Sequence, residues 1–306
     1  MGVLLRNRHF LFFVAIYGLA VLVLVLGGRP LEEVIGALLI LGVFLPLIAF
    51  GATAHLPAPT SPTPRRPDDP FLIAGLLAWI VGFLLLKGSL LASLVDDAAD
   101  PRLRDTVNTL LKLAAFVLVP WLVLRRRGYR WDQSGQPTAP RSRLWLAFVV
   151  LALAGFAVQA LLGSQFKRLL ASDYGNAQLA IGGALCFIWM SIEAGIVEEF
   201  FFRWFLQSRL AAWTRSEVSA VSLGALLFGL AHAPGIVLRG GGAVEGLGDS
   251  PGITTTLAYV IATQGVAGLT FGVLWSRTRS FVLVVALHGF IDALSNTASF
   301  IDTWMH

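Results

Sequence analysis

The sequence predicts an all-α protein, a polytopic transmembrane helical bundle of eight or nine spans. Two observations lead to this fold class. Only 13% of the 306 residues are charged and 56% are hydrophobic, whereas a soluble domain carries about 25% charged residues. In addition, long apolar stretches follow one another along the chain, with basic residues at their ends. This is the pattern that orients membrane proteins, so a soluble globular fold is excluded.

Stretches of about 20 apolar residues are long enough to cross the hydrocarbon core of a bilayer. The first candidate span follows a basic start, as a signal peptide does, but it is longer and has no small-x-small cleavage site, so we expect it to be retained. The nine candidates cover approximately residues 9–27, 34–51, 71–95, 106–124, 144–163, 177–197, 218–234, 253–275 and 280–300.

The basic residues predict the orientation of the spans. Arginines follow the second, fourth and eighth candidates, and all of them fall on one side of the membrane if every span crosses it. The aspartate-rich 96–105 loop and the glycine-rich 235–252 loop fall on the opposite side. Because positive loops stay inside, we expect a cytoplasmic N-terminus in a plasma or inner membrane.

The charge and the cysteine content exclude two other kinds of function. A net charge of +5 could indicate nucleic-acid binding, but the basic residues lie at span ends rather than along a stripe, so we expect membrane lipids and no nucleic acid as partners. The single cysteine, Cys186, lies in an apolar stretch. It therefore provides neither a disulfide framework nor a thiolate metal site.

Ionisable residues inside a span cost a few kcal/mol or more, so each needs a partner, a wet cavity or a function. Glu199 and Arg203, in the stretch IVEEFFFRWF, have the favourable i, i+4 spacing of an ion pair on one helix face. Glu198 lies about 140° around the helix from Arg203. We expect Glu199 to be neutralised by Arg203, whereas Glu198 points elsewhere. A purely structural Glu199–Arg203 pair and an interfacial, solvated Glu198 are the simpler alternatives.

Two histidines also lie in predicted spans. His232 ends the stretch LLFGLAH, with Phe228 one turn before it on the same face. His288 and Asp292 share a helix face in the last span, with Asn296 one turn further along. A carboxylate beside an imidazole can orient or charge the ring, or the pair can hold a reacting oxygen. For His232, a capping or interfacial role is the alternative.

Glu193 and Lys87 are also ionisable and lie in or near predicted spans. The sequence identifies no partner for Glu193, and Lys87 is expected to extend its amine to the outer interface. Because intramembrane Glu, His and Asp are also typical of proton-coupled transporters, a transporter is one alternative function. A non-catalytic membrane protein is another.

The segments EEFFFR (198–203), FGLAH (228–232) and HGFID (288–292) resemble, in this order, the motifs E-E-x-x-x-R, F-x-x-x-H and H-x-x-x-[ND] of the type II CAAX prenyl endopeptidase family. This family is also called the CPBP intramembrane proteases. The resemblance covers about residues 180–300 and implies an intramembrane endopeptidase. It implies that Glu198 is the general base and that His232 is its partner on the attacking water.

The resemblance further implies that His288 and Asp292 form the oxyanion side, and that Arg203 holds Glu199 as structural support. Eukaryotic relatives have asparagine where this sequence has Asp292. An ionised aspartate can only accept a hydrogen bond, so Asp292 is either protonated or orients His288. Aspartate at this position is common among bacterial relatives.

Composition and the resemblance together divide the chain. The stretch PAPTSPTPRRPDDP (57–70) is rich in proline and cannot be helical, so we expect it to be a linker after a two-span hairpin at 1–56. We expect accessory transmembrane helices at 71–175, and the resemblance implies a catalytic core at 176–306. The expected partner is a peptide or protein substrate, with lipid modification of that substrate as an open alternative.

We expect no cofactor. The alternative is a zinc metalloprotease in which Glu198, His232 and His288 bind the metal, as a His₂Glu set does in soluble metalloproteases. The H-E-x-x-H spacing that builds such a site on one helix is absent from the sequence.

The predicted site has one geometric difficulty. If the sixth span ends before Glu198, that residue lies at the membrane surface, whereas His232 lies roughly 21 Å along its helix from Val218. The residues would then be too far apart to act together. Either a single long helix over 181–213, with Glu198 near mid-membrane, or a tilted and sunken seventh span would remove the difficulty. The long helix is expected, because no proline or other interior breaker follows Gly195 in this stretch.

Overall fold

The computed structural model describes residues 2–96, 98–239, 247 and 251–305. These residues contain nine helices that are long and apolar enough to cross a membrane, and no β-strand. The predicted all-α transmembrane bundle is therefore confirmed. The helices are α1 (Arg8–Leu26), α2 (Leu31–Thr53), α3 (Asp69–Leu94), α4 (Pro101–Arg126), α5 (Arg141–Leu162), α6 (Asn176–Thr214), α7 (Glu217–Leu238), α8 (Ile253–Thr278) and α9 (Phe281–Trp304).

The expected long helix is also confirmed, since α6 has 39 residues. No proline interrupts it, and it ends where Arg215 adopts a left-handed conformation with φ of 55°. Ser216 then caps α7 by accepting a hydrogen bond from Ser219 N. The turn between α8 and α9 repeats this device, with Arg279 at φ 48° and Ser280 as the cap. Both helix pairs are consequently antiparallel and joined by very short turns.

The largest apolar core surrounds the aromatic residues of α6. Phe200, Phe201, Phe202, Trp204 and Phe205 are all buried there, together with residues of α3, α4, α8 and α9. A smaller core joins α1 to α7 and α8. The middle of α6 is therefore enclosed by other helices, whereas most of α1 to α5 exposes apolar side chains.

Close contacts of small residues bring α9 against α6. A Cβ added at Gly289 would lie 2.7 Å from the backbone nitrogen of Ser191, and one at Gly195 would lie 2.8 Å from the carbonyl oxygen of Val285. At both positions, any larger side chain would push the two helices apart. This packing fixes the position of the residue next to Gly289, which is His288.

The proline-rich segment is not helical, as its composition predicts, and it is tied to the 131–138 connection. Thr63 N donates to Gln133 O at 2.9 Å. Where the segment enters α3, the buried Asp69 accepts a hydrogen bond from the Tyr129 hydroxyl. Burial and this bond raise the pKa of Tyr129, so the phenol remains a donor.

Of the glycine-rich loop predicted at 235–252, residues 240–246 and 248–250 lie outside the described residues.

Candidate functional site

Helix α6 carries Glu198 and Glu199 between two stretches of π-helical turns, Ser191–Ile196 and Phe200–Gln207. Such turns are rare in proteins as a whole, and those that occur are often found at functional sites. The wider turn changes the direction of the side chains around it. The two glutamates therefore lie at the most irregular part of the longest helix.

The short turn between α6 and α7 brings Glu198 and His232 to the same depth. Glu198 precedes the end of α6 at Thr214 by a distance of about 24 Å along the helix, and His232 follows the start of α7 at Glu217 by about 22 Å. Because the two helices are antiparallel, these distances match. The separation that a shorter sixth span would impose does not occur.

His232 faces Glu198 across this gap. Its Nε2 lies 4.0 Å from Glu198 Oε2, and its Nδ1 lies 2.9 Å from the carbonyl oxygen of Phe228. A carbonyl oxygen only accepts, so Nδ1 carries the proton and Nε2 of the neutral ring is an acceptor. The ring of Phe228 also contacts the imidazole, with centroids 4.9 Å apart, and this contact fixes its orientation.

His288 contacts three carboxylates. Its Nδ1 lies 2.7 Å from Glu199 Oε1, and its Nε2 lies 3.5 Å from Asp292 Oδ2 and 3.8 Å from Glu198 Oε2. The structure thus brings Glu198, His232, His288 and Asp292 together from α6, α7 and α9. The Glu199–His288 bond is not visible in the sequence, since helical periodicity describes contacts within one helix only.

Arg203 lies beside Glu199 in the buried interior. Its Nε is 3.4 Å from Glu199 Oε2, and the two side chains are 1% and 0% exposed. The guanidinium also lies over the ring of Phe228, 4.6 Å from its centroid. Glu199 therefore connects Arg203 to His288, and Phe228 connects Arg203 to His232.

A cavity of about 140 Å³ opens beside Glu198 and His232. Lys87 of α3 and Lys112 of α4 line it together with apolar side chains. Lys112 Nζ lies 2.7 Å from Glu193 Oε1, which provides the partner that the sequence did not identify. Lys87 also lines the cavity, and its extension to the outer interface stays a prediction. Neither lysine could be recognised from the sequence as a neighbour of the site, because both come from helices far from the motifs.

Comparison with known families identifies the region that carries this site. Residues 180–294 match the family model described as type II CAAX prenyl endopeptidase Rce1-like. Comparisons with curated proteins and with solved structures gave no match. The matched range includes all seven residues that the three motifs specify, and it supports a protease without supporting a metalloprotease. Residues 180–294 are therefore similar to the type II CAAX prenyl endopeptidase Rce1-like family, and this similarity supports an intramembrane peptidase.

Proposed function

We propose that Glu198 and His232 activate the water that attacks the peptide bond. The observation that carries this proposal is the 4.0 Å separation between Glu198 Oε2 and His232 Nε2. One water oxygen at about 2.8 Å from each atom fits that separation. Both atoms accept hydrogen bonds when the carboxylate is ionised and His232 Nδ1 holds the proton, so each can take a proton from the water.

His288 and Asp292 serve the oxyanion side in this proposal. When both ring nitrogens of His288 are protonated, Nδ1 donates to Glu199, and Nε2 is a donor on the side of the ring that faces Glu198. The 3.5 Å distance between Asp292 Oδ2 and His288 Nε2 supports an orienting role for Asp292. A donor placed where negative charge develops stabilises the tetrahedral intermediate.

The reaction then needs only these groups and water. Glu198 takes a proton from the water as its oxygen bonds to the carbonyl carbon, and the carbonyl π electrons move to the oxygen, facing His288. The C–N bond breaks as the intermediate collapses. The leaving nitrogen takes the proton from Glu198, which returns to its carboxylate form. The products are a new carboxyl terminus and a new amine.

We propose that no metal takes part. Zinc ligands at 2.0–2.2 Å from the ion lie roughly 3.4 Å apart in a tetrahedral site, whereas Glu198 Oε2 is 4.0 and 3.8 Å from the two imidazole Nε2 atoms. Among the described residues, no three His, Cys, Asp or Glu side chains are arranged to hold a metal ion. The alternative zinc set therefore fits poorly.

The proposed substrate is a peptide or protein with a lipid-modified end, cleaved in a plasma or inner membrane, with the N-terminus of the protease in the cytoplasm. The family description supports a prenylated substrate. The apolar walls that Leu84, Phe116 and Phe202 give the cavity support a substrate that approaches within the bilayer. The arginines at one set of span ends support the orientation.

The experiment compares Glu198→Gln with the unaltered protein on a farnesylated peptide that ends in a CAAX sequence, with cleavage followed by mass spectrometry. Loss of the base should lower kcat/KM at least about 100-fold. Glu33→Gln is the matched control, because Glu33 is 58% exposed at the start of α2, and it should retain full activity.

Equal thermal unfolding of the three proteins in detergent would show that the loss is chemical. Wild-type rates in Glu198→Gln would refute the role of this residue. Activity that disappears with EDTA and returns with zinc would refute the metal-free mechanism. Equal cleavage of the unprenylated peptide would refute a lipid-modified substrate.

A further inference from the structure

A second pocket, separate from the catalytic cavity, lies where α5 and α9 begin. It has a volume of about 490 Å³ and is bounded by the 131–137 connection and the first turns of both helices. Its lining combines arginines with aromatic side chains, among them Arg141, Arg279, Trp131, Trp145, Trp204 and Trp275. No acidic side chain lines it among the described residues. The pocket is therefore cationic and apolar together.

The two arginines differ in what they already bind. Arg279 is 3% exposed, and its guanidinium contacts Glu217 and donates to Ser208 Oγ at 3.3 Å, so its charge is largely balanced. Arg141 is exposed as the first residue of α5. Within the described part of the chain, no ion pair or hydrogen bond of the Arg141 side chain is formed. Arg141 is thus the cation available to a ligand.

A second part of the lining is suited to hydrocarbon. Val282 is 65% exposed and Trp145 is 49% exposed, and Leu144 and Leu283 also line the pocket. Both helices begin here, so the pocket lies at the end of the spans, where tryptophan rings commonly mark the membrane interface. A ligand that suits both walls has an anionic group at the level of the helix ends and an apolar chain that runs along α5 and α9.

We propose that this pocket binds the headgroup phosphate of an anionic phospholipid, with Arg141 as its main contact and an acyl chain lying along Val282. Basic pockets between transmembrane helices at this level recognise such headgroups. A guanidinium is suited to phosphate, because its planar N–H groups match two phosphate oxygens. A free phosphate ion would use only the cationic part and leave the apolar wall uncovered. The proposal does not depend on the catalytic mechanism.

The test is native mass spectrometry of the detergent-solubilised protein titrated with dioleoyl phosphatidylglycerol or with dioleoyl phosphatidylcholine. We expect tighter binding of phosphatidylglycerol. Arg141→Gln should weaken that binding about fivefold, which is the contribution to binding that one arginine makes near an anionic membrane surface. Arg141→Lys should retain most of it, because the positive charge remains.

Arg143→Gln provides a matched control. It removes the same charge from the same exposed helix end, but Arg143 does not line the pocket, so its effect should stay below twofold. Equal affinity for the two lipids in the wild type, or equal losses in Arg141→Gln and Arg143→Gln, would overturn the proposal. Displacement of phosphatidylglycerol by inorganic phosphate would also overturn it and indicate a site for the free ion.

Discussion

The first five helices and the last three differ in how much of each helix other parts of the protein cover. In α1 to α5, between 17% and 28% of the most apolar stretch is buried, whereas in α7 to α9 the share is between 44% and 61%. The outer helices therefore have large surfaces that suit lipid, and the inner helices mostly contact protein. For the outer helices, an apolar composition is therefore most of what the sequence has to provide, because few of their side chains must fit against other helices.

The same division separates two kinds of ion pair. At the start of α2, Glu33 pairs with Arg29, which precedes the helix, and their side chains are 58% and 19% exposed. The Arg203–Glu199 pair of α6 is almost completely buried, among the aromatic residues of the core. A charge in the interior must be matched by its surroundings, since water cannot solvate it. The inner region is thus where one substitution has the largest effect.

Arg203→Met should give the largest loss of stability. It retains the size of the apolar stem but leaves Glu199 buried without its cation. Breaking a buried pair in this way costs about 3–5 kcal/mol. Thermal unfolding in detergent measures the loss as a lower Tm, and cleavage should fall as well, because Glu199 also holds His288.

The control for this prediction is Arg29→Met, the same substitution in the outer region. The carboxylate that it leaves behind, Glu33, is 58% exposed and stays in contact with water, and pairs of this kind contribute about 0–1 kcal/mol, so the Tm of Arg29→Met should remain close to that of the wild type. If both variants lost the same stability, the distinction between the two regions would be wrong. Partial recovery of Tm in the double variant Glu199→Gln, Arg203→Met would attribute the loss to the unpaired carboxylate.

Gly289→Ala should have the next largest effect. Its new Cβ would lie 2.7 Å from the Cα and backbone nitrogen of Ser191, and backbone atoms cannot move aside as a flexible side chain does. We expect α9 to shift away from α6, at a cost of about 1–3 kcal/mol. A displacement of His288 by about 1 Å would lower kcat/KM by on the order of 100-fold.

Gly183→Ala is the matched control in α6, because its Cβ would have no neighbour within 4 Å. Alanine stabilises a helix by about 0.5–1 kcal/mol relative to glycine, so Tm should stay equal or rise and activity should be unchanged. Unchanged cleavage in Gly289→Ala would show that the contact between α6 and α9 does not position His288.

Much of the fold could be predicted, because crossing a membrane requires a length and a composition that can be read directly from the chain. The nine spans agree with the nine helices to within a few residues in most cases. The exception is α6, whose last seventeen residues include charged and polar side chains such as Glu198 and Arg203. Hydropathy alone ends the span early there, and only the geometric requirement on His232 predicted the longer helix.

The site was predictable to a smaller extent. Contacts within one helix follow from spacing, which gave the Glu199–Arg203 and His288–Asp292 pairs. Contacts between helices depend on packing, so the bond from His288 to Glu199 and the pairing of Lys112 with Glu193 could not be derived. One feature of the sequence did indicate close packing at His288, namely the neighbouring Gly289. A glycine in a helix interior lowers stability, so its presence there suggests that another backbone comes close.

Asn7→Ala should give the smallest effect of the three and tests whether the outer region supports the inner one. Asn7 caps α1 by accepting hydrogen bonds from His9 N and Phe10 N. Its side-chain amide donates to Ser216, which caps α7, and to Ser219 of α7. Loss of a cap costs about 1 kcal/mol. The contact lies about 22 Å along α7 from His232, so Tm should fall while kcat/KM stays the same.

Asn7→Asp separates the two contributions of Asn7. Aspartate is as good a cap as asparagine, but an ionised carboxylate has no N–H to donate to the serines, so the loss of Tm in Asn7→Asp measures the two bonds that Asn7 Nδ2 donates. If Asn7→Asp retains the wild-type Tm, the cap accounts for the effect, and the bond between His9 Nδ1 and Ser219 Oγ remains as the polar contact between α1 and α7. A large loss of cleavage in either variant, with Tm unchanged, would show instead that α1 affects the position of His232 through α7. The distinction between an outer region and an inner region that holds the site would then be wrong for α1.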